Sequence, residues 1–402
     1  MVKLAIGREV ILVKRLMLAL LLLAFVQPAY ADDHDDEKSD FEFDYVGLVQ
    51  VQAAPLTGAD NLIQDGDLAE EPGFRLRRAR FGLKGKAWNL MDFEISTQAD
   101  VYGIDLLDAW IGYRLGTEVG FTLGAKKVPF SRFALMGSGK GALIERPMGT
   151  TAMAPGRQLG LTVEGDVADG AFGYAIGVYN GFERRTNFFE GYAYGSALLG
   201  NRLTRLATVL RLTSEPLGKI GHTMADLKGG DFRLGVGASG FYNDGTTTTT
   251  YGWEADVHVK VAGFHLAAEY TQDHASPVQK PTTSLTVPAE IGRSALAAEM
   301  GYMILPTQLG VTVRGELVDD NDTDENNGDV LVIAGGVQYY WYETGLRVGL
   351  DYIHRQELHG QNLDNDTLVF HLFNDTVLRG RITAVRALFF ICAQLLGGLV
   401  EE

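Results

Sequence analysis

The sequence predicts an all-β fold: a transmembrane antiparallel β-barrel, with sixteen strands as the expected number. Three observations predict it. Segments along the chain alternate apolar and polar side chains, the period-2 signature of strands with two different faces. The connections between them are by turns long and short, as in barrels with long external loops and short periplasmic turns. Helical periodicity is hard to find between Asp32 and Phe373, and no apolar run there is long enough to span a membrane as a helix.

The N-terminus reads as an export signal over 1–31. Lys14 and Arg15 form a positive region, Leu16 to Val26 an apolar core, and Ala29-Tyr30-Ala31 a small-residue cleavage site. An uncleaved anchor is the competing reading; the apolar run is shorter than the ~20 residues a spanning helix needs. An acidic lead, 32–40, follows. The formal net charge of the 402-residue chain is −16. Removing 1–31, with four basic residues and one acidic, takes it to −19. That sign argues against a nucleic-acid partner. The single cysteine, Cys392, leaves no disulfide framework.

In chain order the strand-like segments are 41–54, 73–88, 90–101, 104–115, 118–128, 157–168, 171–181, 202–213, 231–243, 250–260, 263–273, 292–302, 308–319, 329–341, 344–356 and 365–373. The clearest is Phe74 to Val101, a hairpin. Ala79, Phe81, Leu83, Phe93 and Ile95 lie on one face, and Arg78, Arg80, Lys84, Lys86, Asp92 and Glu94 on the other. Trp253, Ala255, Val257 and Val259 likewise oppose Glu254, Asp256, His258 and Lys260. Long connections fall at 55–72, 129–156, 182–201, 274–291 and 320–328, with short turns such as Asp169–Gly170 and Val261–Ala262 between them. Two depart from the rhythm: 102–103 is short where a long loop is due, and 214–230 is long where a turn is due.

Sixteen closed strands enclose a lumen too wide for side chains to fill. The charged faces are therefore expected toward water inside, and the apolar faces toward lipid. Tyr102, Trp110, Tyr113, Tyr179, Tyr270, Tyr302, Tyr339, Trp341 and Tyr352 lie near strand ends, as interfacial girdles would. The barrel is expected over 41–373, closing on Phe373. The remainder, 374–402, reads as an apolar extension of unknown role: an added anchor, a plug, or a segment without evolved function.

Several stretches resemble the phosphate-selective porin O/P family. They are Leu76 to Gly85 with Asp92-Phe93-Glu94, Asp108 to Tyr113, Gly124 to Phe130, Ala154 to Gly160, and Tyr179-Asn180-Gly181. The resemblance implies a trimeric sixteen-stranded outer-membrane channel whose third external loop, here Pro129 to Gly156, folds into the pore. It also implies that clustered lysines and arginines at the constriction set any preference for phosphate. An outer-membrane barrel further implies lipid and lipopolysaccharide as surroundings, the barrel-assembly machinery as insertion partner, and small anions as permeants.

Selectivity in a pore comes from rings of charge and from the width of the constriction. The candidates are Arg78, Arg80, Lys84 and Lys86 on the second strand, Lys126 at the end of the fifth, and Arg132, Lys140 and Arg146 in the inward loop. Two readings stay open. The basic column either guides anions or pairs across the hairpin with Asp92, Glu94 and Asp100 as a rigid charge lattice. Arg75, Arg77 and Arg157 have outward parity near the external rim, suited to lipopolysaccharide phosphates or to snorkelling. The expected function is passive diffusion of small hydrophilic solutes with modest anion preference. The alternatives are a non-selective or non-conducting structural barrel, and an outer-membrane enzyme, for which no catalytic cluster stands out. No cofactor or metal site is expected. Gly137 to Gly141 lacks the residues of a phosphate-cradling loop. Glu325 stands where a calcium loop opening at Asp320 needs glycine. His258 and His265 lack a third ligand.

Overall fold

The computed structural model describes residues 41–57, 72–87, 91–100, 103–184, 191–193, 205–245, 248–277, 290–341 and 345–382. The expected signal 1–31, the acidic lead 32–40, Tyr102 and residues 383–402 lie outside them. Sixteen antiparallel strands close into one barrel. They are β1 (Phe41–Thr57), β2 (Gly73–Ala87), β3 (Met91–Asp100), β4 (Gly103–Arg114), β5 (Gly120–Lys127), β6 (Arg157–Val167), β7 (Phe172–Asn180) and β8 (Leu206–Ser214). There follow β9 (Arg233–Asp244), β10 (Thr248–Val261), β11 (Phe264–Pro277), β12 (Ile291–Leu305), β13 (Leu309–Asp319), β14 (Val330–Trp341), β15 (Leu346–Glu357) and β16 (Thr367–Ile382). Each strand pairs with its neighbours in sequence, and β16 returns to β1. Closure leaves no edge, so every ladder group finds a partner where no water is available.

The alternation read from sequence governs the wall. In β10, Tyr251 and Trp253 are exposed on the outside, while Glu254, Asp256, His258 and Lys260 are buried inside. Outward aromatics pair along the wall: Trp253 with Tyr270 at 5.2 Å between ring centroids, Tyr339 with Trp341 at 4.6 Å. Two expected girdle residues belong elsewhere. Trp110 is half-buried and lines the lumen. Tyr179 is 1 % exposed, its hydroxyl 2.6 Å from Thr162 Oγ1 on the inner wall. Both carry an aromatic residue on the polar face, which a search for outward girdles does not separate.

The barrel does not close at Phe373. β16 runs on to Ile382, and Asn374–Ile382 pair with Val49–Phe41. β1 is 17 residues long and β2 covers only one of its edges. Stopping at Phe373 would leave its first half open to lipid. Phe373 reads in sequence as the aromatic on which a barrel closes, but Asn374 and Asp375 continue the ladder.

Two connections fill much of the lumen. The loop 129–156 between β5 and β6 carries two short helices, α1 (Arg132–Leu135) and α2 (Met148–Met153), and crosses the barrel to the β10–β16 wall. Leu143, Met148, Ala152 and Met153 pack on Ala295, Val318, Val330, Val332, Ala334 and Ile353. The inner wall is apolar there because it meets a loop rather than water. Gly149 makes the close approach possible: a Cβ there would stand 2.1 Å from the Ala295 Cβ.

The second is the long turn between β8 and β9, residues 215–232, which folds up from the opposite end. Met224 N donates to Lys140 O across 2.9 Å, joining the two loops. Phe133 and Ala142 share a core with Met224 and Ala225. Lys260 Nζ donates to Ile220 O (3.0 Å) and Thr223 O (2.5 Å). Asp226 takes the Arg233 guanidinium at 2.5 Å and the Gly263 amide at 2.9 Å. The departure from turn rhythm at 214–230 thus marks a second internal element.

A stop codon after Phe373 should abolish the heat-resistant folded band on an SDS gel, whereas a stop after Ile382 should preserve it. Equal folding of the two truncations would show that the ladder beyond Phe373 is dispensable.

Candidate functional site

The loop 129–156 leaves a slot along β2–β8. Two cavities of 640 and 600 Å³ share Leu135, Gly137, Asp166, Arg211 and Thr213 and so form one continuous space. Nine basic side chains line it against five acidic ones. The basic set is Arg80, Arg114, Lys126, Lys127, Arg132, Lys140, Arg157, Arg211 and Lys219.

Four of the eight residues singled out from sequence are in this slot. Arg80 donates from Nε to Gln98 Oε1 (2.6 Å). Lys126 contacts Glu164 at 3.2 Å. Arg132 pairs with Asp256 at 2.5 Å and with Glu215 of the second loop at 3.6 Å. Lys140 reaches Asp375 of β16 at 2.7 Å with its side chain 45 % exposed, so the stretch beyond Phe373 also anchors the loop.

The other four are placed differently. Lys84 and Lys86 line a separate pocket toward the periplasmic end, among Glu42, Asp44, Asp92 and Glu94. Lys84 stands directly opposite Glu94, and Lys86 opposite Asp92. This part of the basic column is interleaved with acid. Arg78 and Arg146 lie on the far side of the loop. Arg146 donates to the carbonyls of Phe133 (2.9 Å) and Met136 (2.5 Å). Burial, then the guanidiniums of Arg78 and Arg157, push its pKa below the ordinary arginine value.

Arg78 belongs to a latch that parity missed. Gln50 faces Arg78 but Val51 faces Leu76, so Arg77 is the extra residue of a β-bulge. The bulge turns two consecutive arginines inward. Arg77 Nε lies 2.8 Å and Arg78 Nη2 2.9 Å from the carboxylate of Glu145 in the loop. Gln52 Nε2 adds a bond of 3.3 Å, and Arg314 Nη1 donates to the Glu145 carbonyl at 2.8 Å. Burial alone would raise the Glu145 pKa. The two guanidiniums outweigh it and hold the carboxyl well below the usual carboxylate range. Arg75, also expected outside, donates to Gln52 Oε1 at 2.6 Å.

Arg157 is the third residue expected outside. It begins β6, and its guanidinium grips Asp108 at 3.0 and 2.9 Å. Asp108 enters the lumen beside a second bulge, where Ser96 faces Asp108 and Thr97 faces Leu106. Lys127 was missed because its neighbour took the inward parity. From the strand end its ammonium donates to the carbonyls of Ala134 (2.6 Å), Leu135 (3.1 Å) and Met136 (2.8 Å). Inward parity alone would have found Arg211, which pairs with Glu254 and Asp256.

The sealed side is a wall of compensated acids. Glu269 accepts from Ser131 Oγ (2.7 Å), Thr150 Oγ1 (2.8 Å) and Phe133 N (3.3 Å), gathering both arms of the loop on one carboxylate. Asp351 takes the Ile144 amide at 2.8 Å and Glu316 the Met148 amide at 2.6 Å. Arg293, fully buried, pairs with Asp273, which also takes the Tyr192 hydroxyl at 2.8 Å. Glu254, Asp256 and Glu269 lie within metal-ligating reach of one another, but arginines and hydroxyls already engage them. His258 holds the Met224 carbonyl at 3.2 Å, and His265 faces Glu299 at 3.7 Å.

Glu145→Gln should free the loop at its latch. Leaving Arg77 and Arg78 buried without their anion is expected to cost about 3–5 kcal/mol in denaturant unfolding and to raise unit conductance. A depressed carboxyl pKa stabilises fully above the free glutamate value of about 4.3 and is lost only as pH falls toward the folded value. The difference between wild type and variant should therefore persist at pH 5; its disappearance there would overturn the latch. Replacing 217–229 with a two-residue turn should likewise raise conductance, and no change would exclude that segment from the constriction.

No curated protein matches the chain. Solved structures match it at low identity. A loop-deleted OmpT, an outer membrane protein of Vibrio cholerae, is 11% identical with a TM-score of 0.55, covering 84% of this chain and 100% of its own. Pseudomonas putida OprB is 13% identical with a TM-score of 0.53, covering 84% and 94%. The outer membrane channel DcaP of Acinetobacter baumannii is 12% identical with a TM-score of 0.52, covering 85% and 99%. These likenesses establish the barrel. The family model for phosphate-selective porin O and P matches residues 57–382, nearly the whole described barrel. The chain belongs to that family of outer-membrane porins.

Proposed function

We propose that small hydrophilic solutes diffuse through the slot beside the loop 129–156, with a modest preference for anions such as phosphate. The observation that carries this is charge: nine basic against five acidic side chains line the slot of a chain whose formal net charge is −16. Narrowness gives that excess its effect. Two unit charges 4 Å apart interact by about 1 kcal/mol in bulk water but about 4 kcal/mol at an effective dielectric of 20. Arg80 and Lys126 are the anion-guiding groups closest to the sequence expectation. Arg157 and Lys127 join them, while Arg78 and Arg146 hold the loop.

The preference is modest for two reasons. Most slot cations have a carboxylate neighbour, and the pocket below the slot has four acidic residues, Glu42, Asp44, Asp92 and Glu94, around Lys84 and Lys86. An anion meets attraction at the constriction and repulsion beneath it. A homotrimer is the proposed assembly, supported by the family and by a trimeric form of the structurally similar Vibrio cholerae OmpT.

Planar-bilayer recording in a KCl gradient should give a reversal potential on the anion side. Arg80→Gln with Lys126→Gln should move it toward cations, and Lys84→Gln with Lys86→Gln should move it less. A cation-side reversal in the wild type would overturn the preference, and no step conductance would overturn the channel.

A further inference from the structure

The slot contains a tryptophan, which a path for bare inorganic ions does not call for. Trp110 sits on the inner face of β4, at the meeting of the slot and the pocket below it. Two glycines stand against Trp110, one at its backbone and one at its ring. Gly124 is its cross-strand partner, with φ at +137°, and a Cβ there would stand 2.8 Å from the Trp110 Cβ. Gly112 lies two residues along, and a Cβ there would stand 3.4 Å from Trp110 Cζ3. The indole thus reaches along its own strand to Gly112 and remains half-buried.

The surroundings of this plate are mixed in charge: Glu94 is its cross-strand partner on β3, and basic side chains share the cavity above it. Lys126 Nζ is 5.9 Å from the ring centroid. Arg80 lines the same cavity and engages Gln98 through Nε alone among the described residues. Arg157 is held at the cavity wall by both oxygens of Asp108. An inorganic anion gains from the cations but nothing from an indole face. A planar aromatic anion gains from both, because offset ring stacking adds to area burial and a carboxylate accepts from guanidinium and ammonium groups.

We propose that Trp110 is the stacking plate of a binding station for aromatic carboxylates within the slot, with Arg80 and Lys126 taking the carboxylate. This rests on the channel reading for its biological use, but the station itself is testable without conduction. The probe is 4-fluorobenzoate, titrated into the detergent-solubilised full chain and followed by fluorine NMR, with cyclohexanecarboxylate and inorganic phosphate as competitors. Trp110→Ala should weaken 4-fluorobenzoate binding about fivefold, within the range for one aromatic pair, and leave phosphate competition unchanged. Trp110→Phe should retain most of the binding and guards against a folding defect in the alanine variant. Cyclohexanecarboxylate, with the same charge and no π face, should compete poorly.

Equal competition by the aromatic and alicyclic acids, or no change on Trp110→Ala, would overturn the station. Trp110-dependent binding to a protein that passes no current would keep the station and overturn the channel. Conduction without Trp110-dependent binding would do the reverse.

Discussion

A sixteen-stranded barrel encloses more space than its own side chains fill, and every functional feature here answers that constraint. The lumen is not left as an open tube. The loop 129–156 enters from one end and the segment 215–232 from the other, and they meet where Met224 donates to Lys140. Together they cover the β9–β16 wall and confine the passage to β2–β8. The slot and its charge are consequences of which wall is covered.

Covering the wall required burying charge. Isolated carboxylates such as Glu269 or Asp273 would be strongly unfavourable away from water. Each is met by an arginine, a hydroxyl or a backbone amide of the loops. A buried ion pair contributes little beyond an apolar contact of similar volume, but losing one partner is costly. Such pairs therefore specify one loop position more than they strengthen it. The Glu145 latch has this character: two guanidiniums converge on one carboxylate, and only one loop register satisfies them. The apolar contact of α2 with β12–β15 supplies non-directional adhesion.

Much of the fold was legible. Strand positions and the faces of β10 follow from alternation and loop rhythm, because a period of two survives whatever the neighbours are; the inward loop was implied by the family resemblance. The site was legible only in part. Arg80, Lys126, Arg132 and Lys140 were found by parity or loop position and do line the slot. Arg77 and Arg157 were assigned to the outside. One sits at a bulge that changes parity mid-strand, and the other at a strand start where the side chain is free to swing. Nothing local announces either exception. Bulges form in response to the partner strand, and the partner of Arg77 is a carboxylate 68 residues away.

By itself, then, the sequence determined that the chain is a β-barrel with a lipid face and a polar lumen, since these depend on short-range period, composition and connection length, while its family resemblance implied the internal third loop. Only the tertiary structure decided which charges stay accessible. Lys84 and Arg80 are equivalent in a pattern of alternate residues, yet one lies among acids below the slot and the other lines the slot itself. Arg78, two residues from Arg80, is consumed by Glu145. The opposed signs of β2 and β3 resolve by depth: Glu94 and Asp92 neutralise the lower lysines, and Gln98 stands opposite Arg80. Electrostatic identity in a pore depends on what lies within a few ångströms, and those neighbours come from strands and loops far apart in the chain.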